Sequence, residues 1–249
     1  ECRRAHGLSE DRPVLLQLAG GFGVGPVQKL SEALLSVKQA IDLVIVCGGL
    51  QSDRLAVLDG QDRAPRIVPF FGDYYLLCGA SAALSNGLIY PVPDPRYPFL
   101  GVHITRHVDG SVSIGPNAFL SLGREAYGRG AANLRSASAR DLRDAVGFPG
   151  FWRFAAGNLR AAARESRAVL SSRSFVRQAQ RYVPEIAYDD VAPAWRGIRA
   201  QAMAADGSLV DDFAITSSRG AVHVRNAPSP GATSALAIAE HIVARILGR

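Results

Sequence analysis

The chain has 249 residues, 48% of them hydrophobic, with mean hydropathy +0.07, which is ample for a sizeable core in one domain or two. Net charge is +6, and between Arg124 and Arg181 twelve arginines against four acids leave a local excess of eight positive charges. No apolar run reaches the length of a membrane span, no signal peptide is visible, and three cysteines at unrelated spacings (Cys2, Cys47, Cys78) exclude a disulfide framework and a metal site.

The basic stretch reads as a solvated helical face, with a membrane surface as the alternative. No aromatic-interleaved basic groove accompanies it, so no nucleic acid is expected as a partner. Cys47 and Cys78 sit among apolar residues and read as buried thiols. A start at Glu1 rather than Met fits a processed chain or a fragment.

Residues 1–12 are a polar lead-in. Val14–Leu18 reads as a buried strand, Gly20–Gly25 as a glycine loop, Pro26–Val37 as an amphipathic helix and Leu43–Val46 as a second buried strand. This βαβ unit has glycines that let the backbone approach an anion at a helix N-terminus. Its spacing is G-x-G-x-G (Gly21, Gly23, Gly25), not G-x-G-x-x-G, and Cys47, Gly48 and Gly49 stand where an acid would hold a ribose. GGLQSDRLA (48–56) then leads from a strand end into a helix.

Ile67–Phe70 and Tyr74–Leu77 suggest strands around a turn at Gly72-Asp73, and Gly87–Val92 another strand. Asp109-Gly110 between Leu100–Val108 and Ser111–Ile114 is the strongest hairpin signal in the chain. Ser138 with Asp141 resembles a capping box for a helix over 139–146. A long helix over Pro149–Leu170 has Trp152 and Phe154 suited to burial, and a third helix, Phe175–Tyr182, stops before Pro184. Trp195–Gln201 reads as a strand, Asp206-Gly207 as a hairpin turn and Val210–Ile215 as its return.

The last stretch, AVHVRNAPSPGATSALAIAEHIVARIL (221–247), reads as a buried strand, a small-residue turn and a helix. Pro230 suits the first helical position. Free amides beside Ser229, Gly231, Ala232, Thr233 and Ser234 would let an electron-rich ligand approach the backbone.

The wording HVRNAPSPGATSALAIAEHI, with GLIYPVPDPRYPFLGVHITRHVDGSVSIGPNA (87–118) and GGLQSDRLA, resembles the FAD-dependent L-2-hydroxyglutarate oxidases and dehydrogenases, within the D-amino-acid-oxidase-like flavoproteins. The resemblance covers 48–249 and lacks the family's amino-terminal dinucleotide fingerprint. Residues 13–47 instead resemble the donor-binding half of the diacylglycerol glycosyltransferases. The family resemblance implies an α/β fold: a mixed-sheet, incomplete FAD-binding layer from 1–60 and 195–249, and an antiparallel-sheet-plus-helices substrate domain from 61–194. It implies FAD as cofactor and a small 2-hydroxy acid as substrate. Gly48, Gly49, Leu50, Asn226, Pro228, Ser229, Pro230, Gly231, Ala232, Thr233 and Ser234 are then the cofactor-binding candidates. It also implies a cytoplasmic chain, or one peripheral on the inner face of the membrane, as quinone-linked members would need. The alternatives are a non-catalytic or partner-dependent fragment of such an enzyme and a sugar-nucleotide-dependent glycosyltransferase.

Chemistry of that kind needs a cation on the carboxylate and a base for the hydroxyl proton. Arg199 is the candidate clamp because its fork binds both oxygens; the alternative is a structural ion pair with Asp211 or Asp212. His103, alternating with Val102 and Ile104, is the candidate base, against a purely structural role. His223 is the competing base, with Arg225 and Asn226 as polar neighbours. Tyr90 either lines the pocket or belongs to the core. His107 and Asp109 read as solvated.

Overall fold

The computed structural model describes residues 15–18, 44–92, 101–129, 136–158, 172–218, 221–229, 231 and 233–246; the glycine loop 20–25 and the helix expected over 26–37 lie outside them. In chain order the elements are β1 (Leu15–Leu18), β2 (Val44–Cys47), α1 (Ser52–Leu58), β3 (Arg66–Leu77), β4 (His103–Arg106), β5 (Val112–Gly115), β6 (Phe119–Leu120), α2 (Ala139–Val146), α3 (149–158), α4 (Ser172–Ala179), β7 (Val191–Met203), β8 (Ala214–Ser217), β9 (Ala221–Asn226) and α5 (Ala235–Ile246). The fold is mixed α/β and divides into two compact units. The first takes the described residues up to Ile67, Ala200–Ala205 and those from Val210 onward; the second takes Val68–Arg199 and Asp206–Leu209.

The first unit is a sheet of order β1-β2-β9-β8, parallel except for β8. All six residues of β9 are buried, as expected of a strand covered on both faces. On one face Val222, Val224 and Ile215 pack with Ile242 and Ile238 of α5. On the other lies α1, whose Ser52 hydroxyl donates to the Arg225 carbonyl at 3.0 Å. Asp53 is wholly buried in α1; its carboxylate accepts from the Ile67 amide and pairs with Arg66 at 3.2 Å.

The second unit is built on β3. Tyr75 pairs with Ile114 of β5, and Phe70 with Leu120 of β6, both antiparallel. The two registers differ by a single residue, so β5 and β6 run along one edge of β3, leaving the other edge to β7. β4 adds outside β5 through the expected hairpin, where Gly110 has φ +85°. Ile104, Ile114, Val112 and Leu77 point to one face and pack on Phe175, Val176 and Ala179 of α4. The Ser138 hydroxyl accepts from the Asp141 amide at 3.2 Å, capping α2 as the sequence indicates.

Several expectations fail for tertiary reasons. Gly72-Asp73 is no turn: β3 runs straight through it. The missing side chain at Gly72 admits Pro116 and Asn117, since a Cβ there would lie 2.5 Å from both. Asp73 is held in the strand by Arg196, Arg129 and the side chain of Asn117. The strand expected over 87–92 reduces to one bridge, Ile89 to Ile104, flanked by exposed Leu88, Tyr90 and Val92. β8 starts at Ala214 and pairs with β9, not with β7. Trp152 is 59% exposed rather than buried, its indole N–H donating to the Val146 carbonyl. Cys78 is exposed and Cys47 only partly buried. α5 begins at Ala235, five residues after Pro230, so Pro230 is not its first residue.

Candidate functional site

The register of the second unit places its candidate residues on one face. Ile104, Ile114 and Tyr75 form a row on the helix-covered face. The alternate row, His103 with Gly115 and then Tyr74, therefore lies on the opposite face. Trp195 of β7 stacks on Tyr74 at 5.2 Å between ring centroids, which puts Trp195 on that same face. By alternation Gly197 and Arg199 follow it there, and a Cβ on Gly197 would lie 3.9 Å from the Tyr74 ring. His103 and Arg199 thus share one face of one sheet.

They stand on its two margins, three strand spacings or about 14 Å apart across the strands, and Arg199 lies four residues further along β7 than Trp195, which meets the His103 row through Tyr74. Side chains from the β4 margin reach Trp195 of β7. Just beyond β4, His107 holds Ser113 Oγ at 2.8 Å through Nε2 and meets the Trp195 ring edge-on at 5.5 Å. Tyr90 stacks on His103 at 4.4 Å with 26° between the planes. The face is a layer of aromatic rings with glycines at 115 and 197 and with Arg199 at one margin.

His103 Nδ1 lies 3.0 Å from the Gly101 carbonyl. A carbonyl only accepts, so in the neutral ring Nδ1 carries the hydrogen and Nε2 keeps its lone pair. Burial pushes the His103 pKa down, and the Gly101 bond opposes that in part. Half-buried Arg199 is likewise pushed down by burial, from a value so high that it stays charged. Arg106 alternates away from His103 and donates to the Ser85 carbonyl at 3.3 Å.

In the first unit His223 is 1% exposed, with Nε2 at 2.8 Å from Asp59 Oδ2. Its Nδ1 is buried and has no hydrogen-bond partner among the described residues. Arg225 donates to the Ala64 and Pro65 carbonyls at 2.9 and 2.8 Å, and Asn226 Nδ2 to those of Val210 and Asp212 at 3.2 and 2.8 Å. These three side chains tie β9 to its neighbours within the unit. Gly48 has a packing reason: a Cβ would lie 2.5 Å from Leu55 Cδ1. Gly49 has φ +49°, which favours glycine, and Leu50 is buried.

After Asn226 the chain runs exposed through Ala227 and Ser229, with Pro228 and Gly231 half-buried; Pro230 and Ala232 lie outside the described residues. Thr233 is exposed and Ser234 half-buried. The first amide of α5 bonded backward is Ile238, to the Ser234 carbonyl at 2.9 Å. The amides of Ala235, Leu236 and Ala237 therefore have no acceptor within the helix. All three residues are exposed.

Tyr74, Trp195 and His107 escaped the sequence reading as site residues. A signal existed: Trp195, Gly197 and Arg199 keep the period of two that puts them on one face. What joined them to His103 was strand pairing, which no local pattern encodes.

The description "FAD dependent oxidoreductase" (DAO) matches residues 10–245. L-2-hydroxyglutarate dehydrogenase of Nematostella vectensis, described as mitochondrial, is 48% identical over 204 residues, covering 80% of this chain and 44% of that protein. The human mitochondrial protein of that name is 42% identical over 211 residues (83% and 44%), and that of Escherichia coli K12 is 41% identical over 203 (82% and 47%). The chain spans about half the length of the curated relatives it matches. The glycosyltransferase likeness of 13–47 is not shown; the flavoprotein match runs through those residues.

Proposed function

Because the chain belongs to the FAD-dependent oxidoreductase family, we propose that it serves the oxidation of L-2-hydroxyglutarate, or a similar short 2-hydroxy acid, to the 2-oxo acid. The substrate class rests on the names of its relatives. The observation that carries the chemistry is the common face of His103 and Arg199.

The start of α5 fits the cofactor. The amides of Ala235–Ala237 have no acceptor within the helix, the side chains around them include small ones, and a Cβ on Gly231 would meet nothing within 4 Å among the described residues. Ser229, Thr233 and Ser234 complete that donor set, with Gly48, Gly49 and Leu50 at the end of β2 as the second. When bound, FAD supplies the two-electron acceptor for the hydride on the substrate's α-carbon. The chain's own residues do the rest. Arg199 grips a substrate carboxylate with two parallel N–H bonds. His103 Nε2 takes the hydroxyl proton, its tautomer set by Gly101. The rings of Tyr74, Tyr90 and Trp195 keep water from that transfer. His223, committed to Asp59, serves β9 rather than the proton.

The protein is titrated with FAD and then given L-2-hydroxyglutarate without oxygen. The visible flavin band should appear on titration and bleach on substrate addition. A bound flavin that stays oxidised with every short 2-hydroxy acid overturns the reading.

A peripheral membrane contact, serving a quinone acceptor, is part of the same proposal. Among the described residues no helix is long and apolar enough to cross a membrane. α2 and α3 carry exposed Arg140, Arg143 and Arg153 beside exposed Leu142, Val146 and Trp152. Arginines bordering an aromatic and aliphatic tip suit an anionic lipid surface. The protein should float with vesicles containing phosphatidylglycerol and not with neutral ones, and 0.5 M salt (roughly a 4 Å screening length) should weaken the association. Sedimentation away from both kinds of vesicle removes the membrane contact.

A further inference from the structure

Tyr90 lies in an exposed stretch without regular structure, held by the single bridge of its neighbour Ile89 to Ile104. A tyrosine that is 44% exposed adds little to a core. Its ring nevertheless lies nearly parallel to His103, with centroids 4.4 Å apart. That contact covers one side of an imidazole whose Nδ1 is already fixed on Gly101. Two constraints then define the ring: the carbonyl sets which nitrogen carries the hydrogen, and the stack sets the plane in which Nε2 projects.

We propose that Tyr90 is a positioning residue for the proton acceptor, acting through its ring and not its hydroxyl. This rests on the reading of His103 as the base. Among the described residues, the groups facing His103 are few. Tyr90 stacks on it, Tyr74 lies further along the same row on that face, and Arg199 stands at the far margin. Arg106 points to the other face. Burial lowers the His103 pKa, and the Tyr90 ring supplies part of that burial. Removing the ring admits water, so the His103 pKa rises towards its ordinary value. The acid limb of kcat/KM, which follows neutral His103, then moves to higher pH.

The test compares Tyr90→Phe, Tyr90→Leu and Tyr90→Ala with His103→Gln. The imidazole Cε1–H resonance of His103, assigned by its loss in His103→Gln, is titrated by NMR without added flavin. Tyr90→Phe should keep the wild-type titration midpoint. Tyr90→Ala and Tyr90→Leu should raise the midpoint, move the acid limb the same way and lower kcat roughly 10- to 100-fold, with KM changed little because Arg199 still holds the carboxylate. An unmoved midpoint in both Tyr90→Ala and Tyr90→Leu overturns the proposal, as does a Tyr90→Phe variant as impaired as Tyr90→Ala. If His103→Gln itself keeps the wild-type rate and acid limb, the base assignment fails, and this inference falls with it. If His103→Gln is inactive while the Tyr90 variants behave as wild type, only the positioning role fails.

Discussion

Replacing His103 with Gln should lower kcat/KM for an L-2-hydroxy acid by about 100- to 10,000-fold, the range that removal of a general base produces. Glutamine preserves much of the size and one polar end but has no lone pair basic enough to take a hydroxyl proton. The structure sharpens this expectation in two ways. Nδ1 is committed to the Gly101 carbonyl at 3.0 Å, so Nε2 is the nitrogen left to accept. Burial favours the neutral ring, so the acid limb of the wild-type profile should lie below the ordinary imidazole pKa of about 6.5. The sign follows directly: the neutral form does the work, and a lowered pKa keeps it neutral to lower pH. Steady-state kinetics across pH check both points. Loss of rate with an unchanged KM would place the effect in proton transfer, whereas a large rise in KM with unchanged kcat would mean that His103 only binds substrate.

The second large effect concerns stability. Asp73→Ala should destabilise the second unit by about 3 kcal/mol, read as a shift in the urea or thermal midpoint. Asp73 accepts from Arg196 through both carboxylate oxygens, at 2.8 and 2.9 Å, and from Arg129 at 3.1 Å. Arg196 is 9% exposed and lies 3.9 Å above the Phe71 ring. Truncating Asp73 leaves two guanidinium groups without their anion, one of them buried. Burial by itself would raise the Asp73 pKa, but the two arginines outweigh it and hold the carboxyl below the usual range. Its contribution is therefore fully present above the unfolded value of about 3.9 and is lost as pH falls through the lower, folded value. In Asp73→Asn that component of the acid sensitivity should vanish. An Asp73→Ala variant as stable as the wild type would mean that solvent, not the ion pairs, sets the energy here.

Elements whose signals are local were legible. The Asp109-Gly110 hairpin forms where a glycine at φ +85° is needed, and Ser138 caps α2 through its own hydroxyl. The apolar runs at β2 and β9 became parallel strands, β9 buried along its whole length. The errors cluster where a distant residue changes the cost of a local choice. Gly72-Asp73 has the composition of a turn, yet Arg196, 123 positions away, neutralises Asp73 and keeps it in the strand. His223, the competing base, has its partner, Asp59, 164 positions away, a contact no local pattern shows.

The amino-acid sequence alone determined the class of the protein: its mixed α/β character, its family and the residue types able to hold a carboxylate and take a proton. Those follow from periodicity, turn chemistry and wording, which act over a few neighbouring residues. Only the tertiary structure decided which of those residues share a surface. Strand pairing put His103, Tyr74, Trp195 and Arg199 on one face and turned Arg106 to the other. Register is set by which strands meet, and a shift of one residue would have reversed every one of those side chains.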